Sequence, residues 1–283
     1  MIGQLPVDEL SDSQFDEIST LVKNLCGINL HSGKRELVRA RLTRRLRDLR
    51  MPSFELYLEH LRADEGEEIV ALLDALSTNL TRFFREPVHF DILAERAARV
   101  AERGPRTPLR IWSAGCSSGE EPYSMAIRLL ETPAVAVCDT RILATDLSTR
   151  VLATAREGVY PQTRLQEMDR SLISRYFTPT SVDGEQHYRV GDEVRDLIRF
   201  ARLNLIDPWP MEGPFSVIMC RNVMIYFDKP TQQSLVRRFW QLLEPGGVLF
   251  IGHSESLTGV DHDFRYVQPT VYEKPASESG VRS

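Results

Sequence analysis

The sequence of 283 residues has little of several features that mark specialised classes of protein. It has four cysteines, and no two lie at C-x-x-C spacing or beside a histidine pair, so no zinc site or redox motif is predicted. No apolar run approaches the roughly 18 residues that a membrane-spanning helix needs. The first residues have neither the basic region nor the long apolar region of a signal peptide. We therefore expect a cytoplasmic protein with reduced thiols and no direct insertion into a membrane.

The sequence also has no excess of positive charge. Its 35 lysines and arginines are outnumbered by 40 aspartates and glutamates, for a net charge of -5. A chain of this charge has no overall attraction for nucleic acid, so we expect no nucleic-acid partner. Hydrophobic residues make up 42% of the sequence, which is enough to bury a core, and the length fits about two domains.

Residues 1–77 carry helical patterns and predict an all-α N-terminal domain. Ser11 and Gln14 form a capping-box pattern in front of apolar residues at helical spacing, and Gly27 stands where a glycine would end that helix. The other predicted helices run from about Lys34 to Arg50, after Ser53, and over residues 69–76.

From residue 109 to residue 275 the pattern changes to an α/β domain. Short apolar strands alternate with amphipathic helices, which predicts a Rossmann-like, mostly parallel sheet with helices on both faces. The predicted strands cover residues 109–114, 141–145, 215–220 and 248–252, and residues 264–273 have the character of an antiparallel edge. Residues 78–108, between the two domains, are interpreted as a linker that also contacts the ligand of the second domain.

Two further segments are predicted outside this alternation. The pair Asp183-Gly184 is a hairpin-turn signal, and apolar residues on both sides of it, including Leu197–Phe200, predict a small β insertion over about residues 178–203. The polar residues 276–283 predict a flexible tail.

Three of the predicted strands end in residues that suit ligand binding. The small-residue turn Gly115–Gly119 follows the first strand, Asp146 ends the second, and Arg221-Asn222-Val223 follows the third. Ligands of open α/β sheets lie at the carboxyl ends of the strands, so these groups predict one shared site. A carboxylate placed like Asp146 is suited to accept both hydroxyls of a ribose. Ordinary packing and helix capping remain alternative explanations for each feature taken alone.

The residues around the turn indicate the type of cofactor. The glycine spacing departs from the G-x-G-x-x-G of nicotinamide enzymes, and no P-loop lysine follows. The adjacent Glu120 and Glu121 would repel a pyrophosphate. S-adenosylmethionine has ribose hydroxyls and positively charged sulfonium and ammonium groups but no phosphate, and it fits this environment.

Four longer strings connect the sequence to a known family. They are Ser77–Glu86, Ser117–Ser124, Cys220–Phe227 and Gly252–Ser256. In this order they resemble the motifs of the chemotaxis receptor methyltransferases, the CheR family, and the resemblance covers nearly the whole chain. It implies a class I methyltransferase that transfers a methyl group from S-adenosylmethionine to glutamate carboxylates of methyl-accepting chemoreceptors, and leaves S-adenosylhomocysteine. It also implies a monomer that needs no metal.

The resemblance implies roles for individual residues. Cofactor contacts are implied for Asn79, Thr81, Arg85, Glu120, Asp146, Asn204, Leu205, Asn222 and Val223. Arg85 and Tyr226 match the positions proposed in the family to hold the cofactor carboxylate and the reacting groups, and they are the candidate catalytic residues. A glutamate acceptor has a pKa of about 4.3 and is already ionised at neutral pH, so no general base is needed. None of the six histidines is therefore assigned to catalysis, and a structural role is favoured for His253.

The predicted helix from Lys34 to Arg50 is strongly basic, while the rest of the chain is acidic. A solvated helix face is the ordinary interpretation of such a charge pattern. In the CheR family this domain is thought to meet the acidic methylation region of the receptor. We therefore predict that Arg39, Arg41, Arg44 and Arg45 bind the protein substrate, with an attraction that weakens as salt is added.

Two other functions remain open at this point. The basic helix alone would suit a nucleic-acid methyltransferase, but the sequence lacks the Asp/Asn-Pro-Pro-Tyr motif used on exocyclic amines. A sensor that binds the cofactor and docks on receptors without catalysis is the other alternative. The presence of both Arg85 and Tyr226 argues against it.

Overall fold

A computed structural model describes residues 8–64 and 66–276. The helical domain within this range consists of α1 Asp12–Cys26, α2 Arg35–Asp48, α3 Phe54–Ala63 and α4 Glu67–Leu76. The predicted flexible tail, residues 276–283, lies outside the described residues except for residue 276. Among the helices that the structure describes, none is both long and apolar enough to cross a membrane.

The helical domain forms as its sequence patterns indicate. The Ser11 hydroxyl accepts the N–H of Gln14 at 3.2 Å and the Gln14 side chain accepts the N–H of Ser11 at 3.0 Å, so α1 begins with the predicted capping box. Gly27 ends α1 with a φ of 75°, a left-handed conformation that glycine adopts without steric cost. The apolar faces of the four helices meet in one core, which includes Ile18, Val22, Val38, Leu42, Leu46, Phe54, Leu58 and Leu72.

The α/β domain contains six further α-helices and ten strands among the described residues. The strands are β1 Pro108–Ala114, β2 Asp139–Asp146, β3 Val159–Pro161, β4 Phe177–Val182, β5 Glu185–Val190, β6 Ile198–Arg202, β7 Phe215–Cys220, β8 Leu243–Ile251, β9 Arg265–Gln268 and β10 Val271–Glu273. The helices are α5 Val88–Ala101, α6 Glu120–Leu130, α7 Thr149–Glu157, α8 Arg170–Tyr176, α9 Asp192–Arg195 and α10 Lys229–Leu242.

Seven strands form the main sheet in the order β6-β2-β1-β7-β8-β10-β9. The neighbours from β6 to β8 pair in parallel, and β10 and β9 pair antiparallel at the other edge. The central strand β7 is buried at all six positions, because helices cover both faces of the sheet. The predicted Rossmann-like, mostly parallel sheet with an antiparallel edge is therefore confirmed.

Two sequence interpretations in this domain need correction. Residues 78–108 are more than a linker, since they contain α5, which packs Phe90, Leu93 and Ala97 into the core on one face of the sheet. The segment around Leu197–Phe200 is not part of the β insertion, because β6 pairs in parallel with β2 at the edge of the main sheet. The insertion is a separate antiparallel sheet in the order β3-β5-β4, so one of its strands precedes the predicted range. Local apolar patterns predict that a strand forms, but not which partner it will pair with.

Direct contacts join the helical domain to the α/β domain. The N–H of Asn29, just after α1, donates to the carbonyl of Tyr226 at 2.8 Å. Lys23 on α1 forms an ion pair of 2.9 Å with Asp228, the N-cap of α10. These contacts hold the end of α1 and the residues just after it over the carboxyl edge of the main sheet.

Candidate active site

A cavity of about 410 Å³ lies where the carboxyl ends of β1, β2 and β7 face the helical domain. Its sheet side is lined by Ser117, Asp146 and Asn222. Asp146 is the last residue of β2, and the other two lie in the turns that follow β1 and β7. Its opposite side is lined by residues such as Cys26 and Lys34 from the helical domain. The strand ends that the sequence patterns indicated therefore meet in one cavity, as expected for a parallel sheet.

The turn between β1 and α6 brings its backbone unusually close to the neighbouring segments. A Cβ atom on Gly115 would lie 2.3 Å from the side chain of Val223, and the φ of Gly115 is 96°. Its N–H donates to the carbonyl of Thr145 at 2.8 Å. Ser117 also has a positive φ of 50°, which is uncommon for a residue with a side chain. Small residues are required here, and the strained backbone forms part of the cavity wall.

Asp146 contributes its carboxylate to the cavity wall. One oxygen accepts the N–H of Ser117 at 2.8 Å, and the other accepts the N–H of Ser148 at 3.0 Å. Burial raises the pKa of Asp146 above its ordinary value, although these hydrogen bonds act in the opposite direction. The carboxylate thus fixes the turn after β1 and the start of α7. The hydrogen bond from Ser148 shows that Asp146 helps to start α7. Its contact with a ribose stays a prediction.

The segment in front of α5 supplies another wall. The carbonyl of Asn79 accepts the hydroxyl of Ser117 at 2.8 Å. The side-chain nitrogen of Asn79 is buried in the cavity wall and has no hydrogen-bond partner among the described residues. Buried donors are rarely left unpaired in proteins, so this amide fits a polar ligand such as S-adenosylmethionine. Thr81 lines the same wall, and its carbonyl accepts from Arg164 at 3.1 Å.

The two adjacent glutamates at the start of α6 point to different places. Glu120 is 0% exposed, lies outside the cavity lining, and accepts the hydroxyl of Ser118 at 2.6 Å, and its contact with the cofactor stays a prediction. Glu121 lines the cavity instead. It accepts hydrogen bonds from the Ser113 hydroxyl at 2.7 Å and from Arg221 at 2.6 Å. Consecutive helical residues face different directions, so the docking of α6 decides which of the two adjacent glutamates faces the cavity.

Both candidate catalytic residues line the cavity. Arg85 lies on a loop whose flanking residues, Phe84 and Glu86, have positive φ values of 51° and 60°. Its guanidinium donates to the carbonyl of Leu80 at 3.1 Å. The Tyr226 hydroxyl is directed toward the carbonyl of Thr78 at 3.5 Å, which is a weak contact that a substrate could replace. The structure therefore brings the two residues to one cavity, while their catalytic roles stay predictions.

Arg221 directly follows β7 at one of the predicted strand ends, but no individual role was predicted for it. Its side chain is 2% exposed. The guanidinium donates to Glu121 at 2.6 Å, to the carbonyl of Arg85 at 2.6 Å, and contacts Nδ1 of His89 at 3.1 Å. Burial and the charge of Arg221 lower the pKa of His89 to about 3, so His89 stays neutral. Arg221 thereby connects the Arg85 loop to the Glu121 carboxylate in the cavity wall.

A group of possible metal ligands lies beside Arg221. The group consists of Glu86, His89 and His253. Each offers one ligand atom, and these three atoms lie within 4.8 Å of one another. The Arg221 guanidinium stands 3.5 Å from the Glu86 carboxylate, so a positive charge is already present next to this group. The expectation that the enzyme needs no metal stays a prediction.

The remaining predicted cofactor residues also line the cavity, each held by a different contact. The side chain of Asn204 donates to a backbone carbonyl of α1 at 2.7 Å. Leu205 is 8% exposed and belongs to the core on the second face of the sheet. Asn222 has a φ of 60°, and its N–H donates to Glu255 at 2.7 Å. Val223 packs against Gly115. Glu255, from the fourth family-like string, thus supports the turn after β7 without lining the cavity.

The four arginines predicted to bind the substrate have different surroundings. Arg45 forms a forked pair with the buried Glu68, with a contact of 2.9 Å at its Nε atom. Arg41 donates to the carbonyls of the last residue of α4 and of the residue after it, at 2.6 and 3.0 Å. Arg39 pairs with Glu36 on the surface, and Arg44 is exposed. Arg41 and Arg45 therefore hold the helical domain together, which the charge pattern of α2 alone did not reveal.

The sheet and the cavity at its carboxyl edge define a Rossmann-like class I methyltransferase domain. Residues 79–273 match the family described as "CheR methyltransferase, SAM binding domain", and residues 13–77 match "CheR methyltransferase, all-alpha domain". The chain belongs to the CheR methyltransferase family. It is an enzyme that uses S-adenosylmethionine as methyl donor.

Several curated relatives are similar over most of their length. Chemotaxis protein methyltransferase 2 of Pseudomonas aeruginosa is 45% identical, with 91% of each chain covered. The chemotaxis protein methyltransferase of Salmonella typhimurium is 42% identical, with 93% of this chain and 90% of the relative covered. The protein of the same description from Escherichia coli is 42% identical, with 93% of this chain and 91% of the relative covered.

Proposed function

We propose that the protein methylates glutamate carboxylates on the cytoplasmic domains of methyl-accepting chemoreceptors, which forms methyl esters during chemotactic adaptation. The observation that carries this proposal is the cavity between the two domains. Arg85 and Tyr226 line it together with Asn79 and Asp146. We further propose that the protein acts in the cytoplasm as a monomer and without a metal.

The cavity residues divide into those that would hold the cofactor and those that would hold the acceptor. The free amide of Asn79, the carboxylate of Asp146 and the carboxylate of Glu121 suit the polar and positively charged groups of S-adenosylmethionine. When bound, this cofactor supplies a methyl group activated by its sulfonium. Arg85 is suited to orient a carboxylate, because a guanidinium binds carboxylates in a forked geometry.

The chemistry of the acceptor explains which groups the cavity contains. No histidine is among the described residues that line it. An ionised carboxylate is already a nucleophile, so the protein has to position it and exclude water rather than remove a proton. The Tyr226 hydroxyl, only weakly bonded to Thr78, is available to donate to the acceptor. We therefore expect no histidine-like rise in activity between about pH 6 and 8.

The product of the reaction tests the proposal directly. Purified protein is incubated with methyl-labelled S-adenosylmethionine and the cytoplasmic fragment of a chemoreceptor. The expected product releases labelled methanol on mild alkaline treatment, as a glutamyl ester does. Arg85→Lys keeps the positive charge but loses the forked geometry, so it is expected to lower turnover substantially. An alkali-stable methylated product, or labelling of RNA in place of the receptor, would exclude this function.

A further inference from the structure

The mouth of the cavity contains an exposed leucine on a firmly bonded segment. Leu80 is 81% exposed, and it lines the cavity together with its neighbours Asn79 and Thr81. A single exposed leucine needs no explanation by itself. Here, however, the backbone is held at three consecutive carbonyls, by Ser117 at 2.8 Å, by Arg85 at 3.1 Å and by Arg164 at 3.1 Å. The structure therefore keeps this leucine in solvent by means of specific hydrogen bonds.

A second exposed leucine faces the same cavity from the helical domain. Leu37 on α2 is 42% exposed and lines the cavity. It lies four residues before Arg41, a spacing that places both on one face of α2, and three residues after Lys34, which directly precedes the helix and also lines the cavity. Lys34 lies 5.1 Å from the centre of the Tyr226 ring. This face therefore presents an apolar side chain between two cations.

The charge of this face indicates what it would bind. Burial and the nearby Arg41 lower the pKa of Lys34, so an anionic partner would stabilise the charged form of this lysine. The guanidinium of Arg41 reaches Thr78 Oγ1 at 3.1 Å, on the cavity wall next to the segment that carries Leu80. Positive charge beside apolar surface is complementary to an acidic segment that also carries apolar side chains.

We propose that Leu37 and Leu80 form an apolar rim that binds an apolar side chain of the acceptor segment, next to the glutamate that enters the cavity. This proposal rests on the proposed function. It adds the requirement that an apolar residue lies next to the acceptor glutamate in the receptor. Contact with the rim would close the mouth of the cavity against water at the moment of methyl transfer. It would also select glutamates that have an apolar neighbour over isolated acidic residues.

The rim is tested with Leu80→Ser in the full-length protein. Leu56→Ser on α3 is the matched control, because Leu56 is 45% exposed and lies outside the cavity lining. The assay is kcat/KM for the cytoplasmic fragment of a chemoreceptor, with calorimetric binding of S-adenosylhomocysteine measured in parallel. We expect Leu80→Ser to lower kcat/KM about tenfold, mainly through KM, since it removes most of an apolar contact. Cofactor affinity and melting temperature should stay at the wild-type values. Leu80→Met keeps an apolar side chain at this position and should retain the wild-type kcat/KM.

A double substitution tests whether both leucines contact the same acceptor side chain. If they do, Leu37→Ser combined with Leu80→Ser should lose less than the product of the two single losses. Equal kcat/KM for Leu80→Ser and wild type would overturn the proposal. So would a parallel loss of cofactor affinity, which would assign Leu80 to the cofactor site. If the wild-type protein forms no base-labile ester on the fragment, the proposed function fails first, and the rim proposal fails with it.

Discussion

Each domain contains a buried arginine–glutamate pair, and the two pairs serve different purposes. In the helical domain, Arg45 pairs with Glu68, whose side chain is 4% exposed and also accepts the hydroxyl of Tyr57 at 2.8 Å. In the α/β domain, Arg221 pairs with Glu121, whose side chain is 9% exposed. The first set of contacts stays among the helices of its own domain. The second continues to the carbonyl of Arg85 and to the cavity wall.

The comparison shows that a buried ion pair does not by itself mark a functional site. Removing two charges from water is costly, and the pair stabilises a protein only when its geometry and further hydrogen bonds compensate. Both pairs have such further hydrogen bonds, so the presence of a buried pair does not distinguish the two domains. The difference lies in the additional contacts, because only the second arginine, Arg221, connects its pair to a residue that faces the cavity.

The largest expected effect comes from Arg221→Ala. It leaves Glu121 and Glu86 buried without their cation, which is expected to lower the free energy of unfolding by about 3–5 kcal/mol. Turnover should be lost even under conditions where the variant remains folded, because the Arg85 loop loses its attachment. Urea unfolding and methyl transfer are the measurements. The unfolding free energy and the turnover of Arg221→Lys should fall between those of wild type and Arg221→Ala. A change in unfolding free energy below about 1 kcal/mol would contradict the description of this network.

Arg45→Ala should separate stability from activity. Its side chain is 30% exposed, so water partly compensates for the lost pair. We expect a decrease in unfolding free energy of about 2–3 kcal/mol, below the roughly 3–5 kcal/mol of a fully buried pair. Cofactor affinity and turnover of the folded protein should remain within about twofold of wild type. A tenfold loss of turnover at temperatures where the variant is folded would show that Arg45 acts on the substrate after all.

The carboxylate of Asp146 should make cofactor binding dependent on pH. Burial raises its pKa in the free protein, and ribose hydroxyls donating to it would favour the charged form and lower that pKa on binding. Affinity should therefore fall as the pH drops below the raised pKa, with a limiting slope of about tenfold per pH unit. Calorimetry with S-adenosylhomocysteine measures this, and Asp146→Asn should flatten the profile. A profile that is the same in both proteins would remove the ribose assignment.

The smallest effect is expected from the exposed charges of α2. The double variant Arg39→Glu and Arg44→Glu should slow receptor methylation about threefold to fivefold at low salt, through weaker electrostatic attraction. The difference should shrink at high salt, since the Debye length is about 3 Å at 1 M. Arg99→Glu with Arg237→Glu, on α5 and α10, is the control with the same change in charge. If both double variants behave alike, α2 is only a solvated face.

The sequence by itself determined the elements and the family. The capping box at Ser11, the stop at Gly27 and the buried run of β7 are local patterns, and each produced the predicted element. The four family-like strings also identified Arg85 and Tyr226 as candidate site residues, and both line the cavity. Such features are readable because periodicity, capping and turn chemistry depend on residues that are close in the chain.

Only the tertiary structure decided how these elements face one another. It placed Glu121 rather than Glu120 in the cavity wall, paired β6 with β2 rather than with the β insertion, and committed Arg45 to Glu68. In each case the sequence offers two residues or two partners of the same chemical character. The choice between them depends on the rotation of a helix or the pairing of a strand, which long-range packing sets and no local pattern encodes.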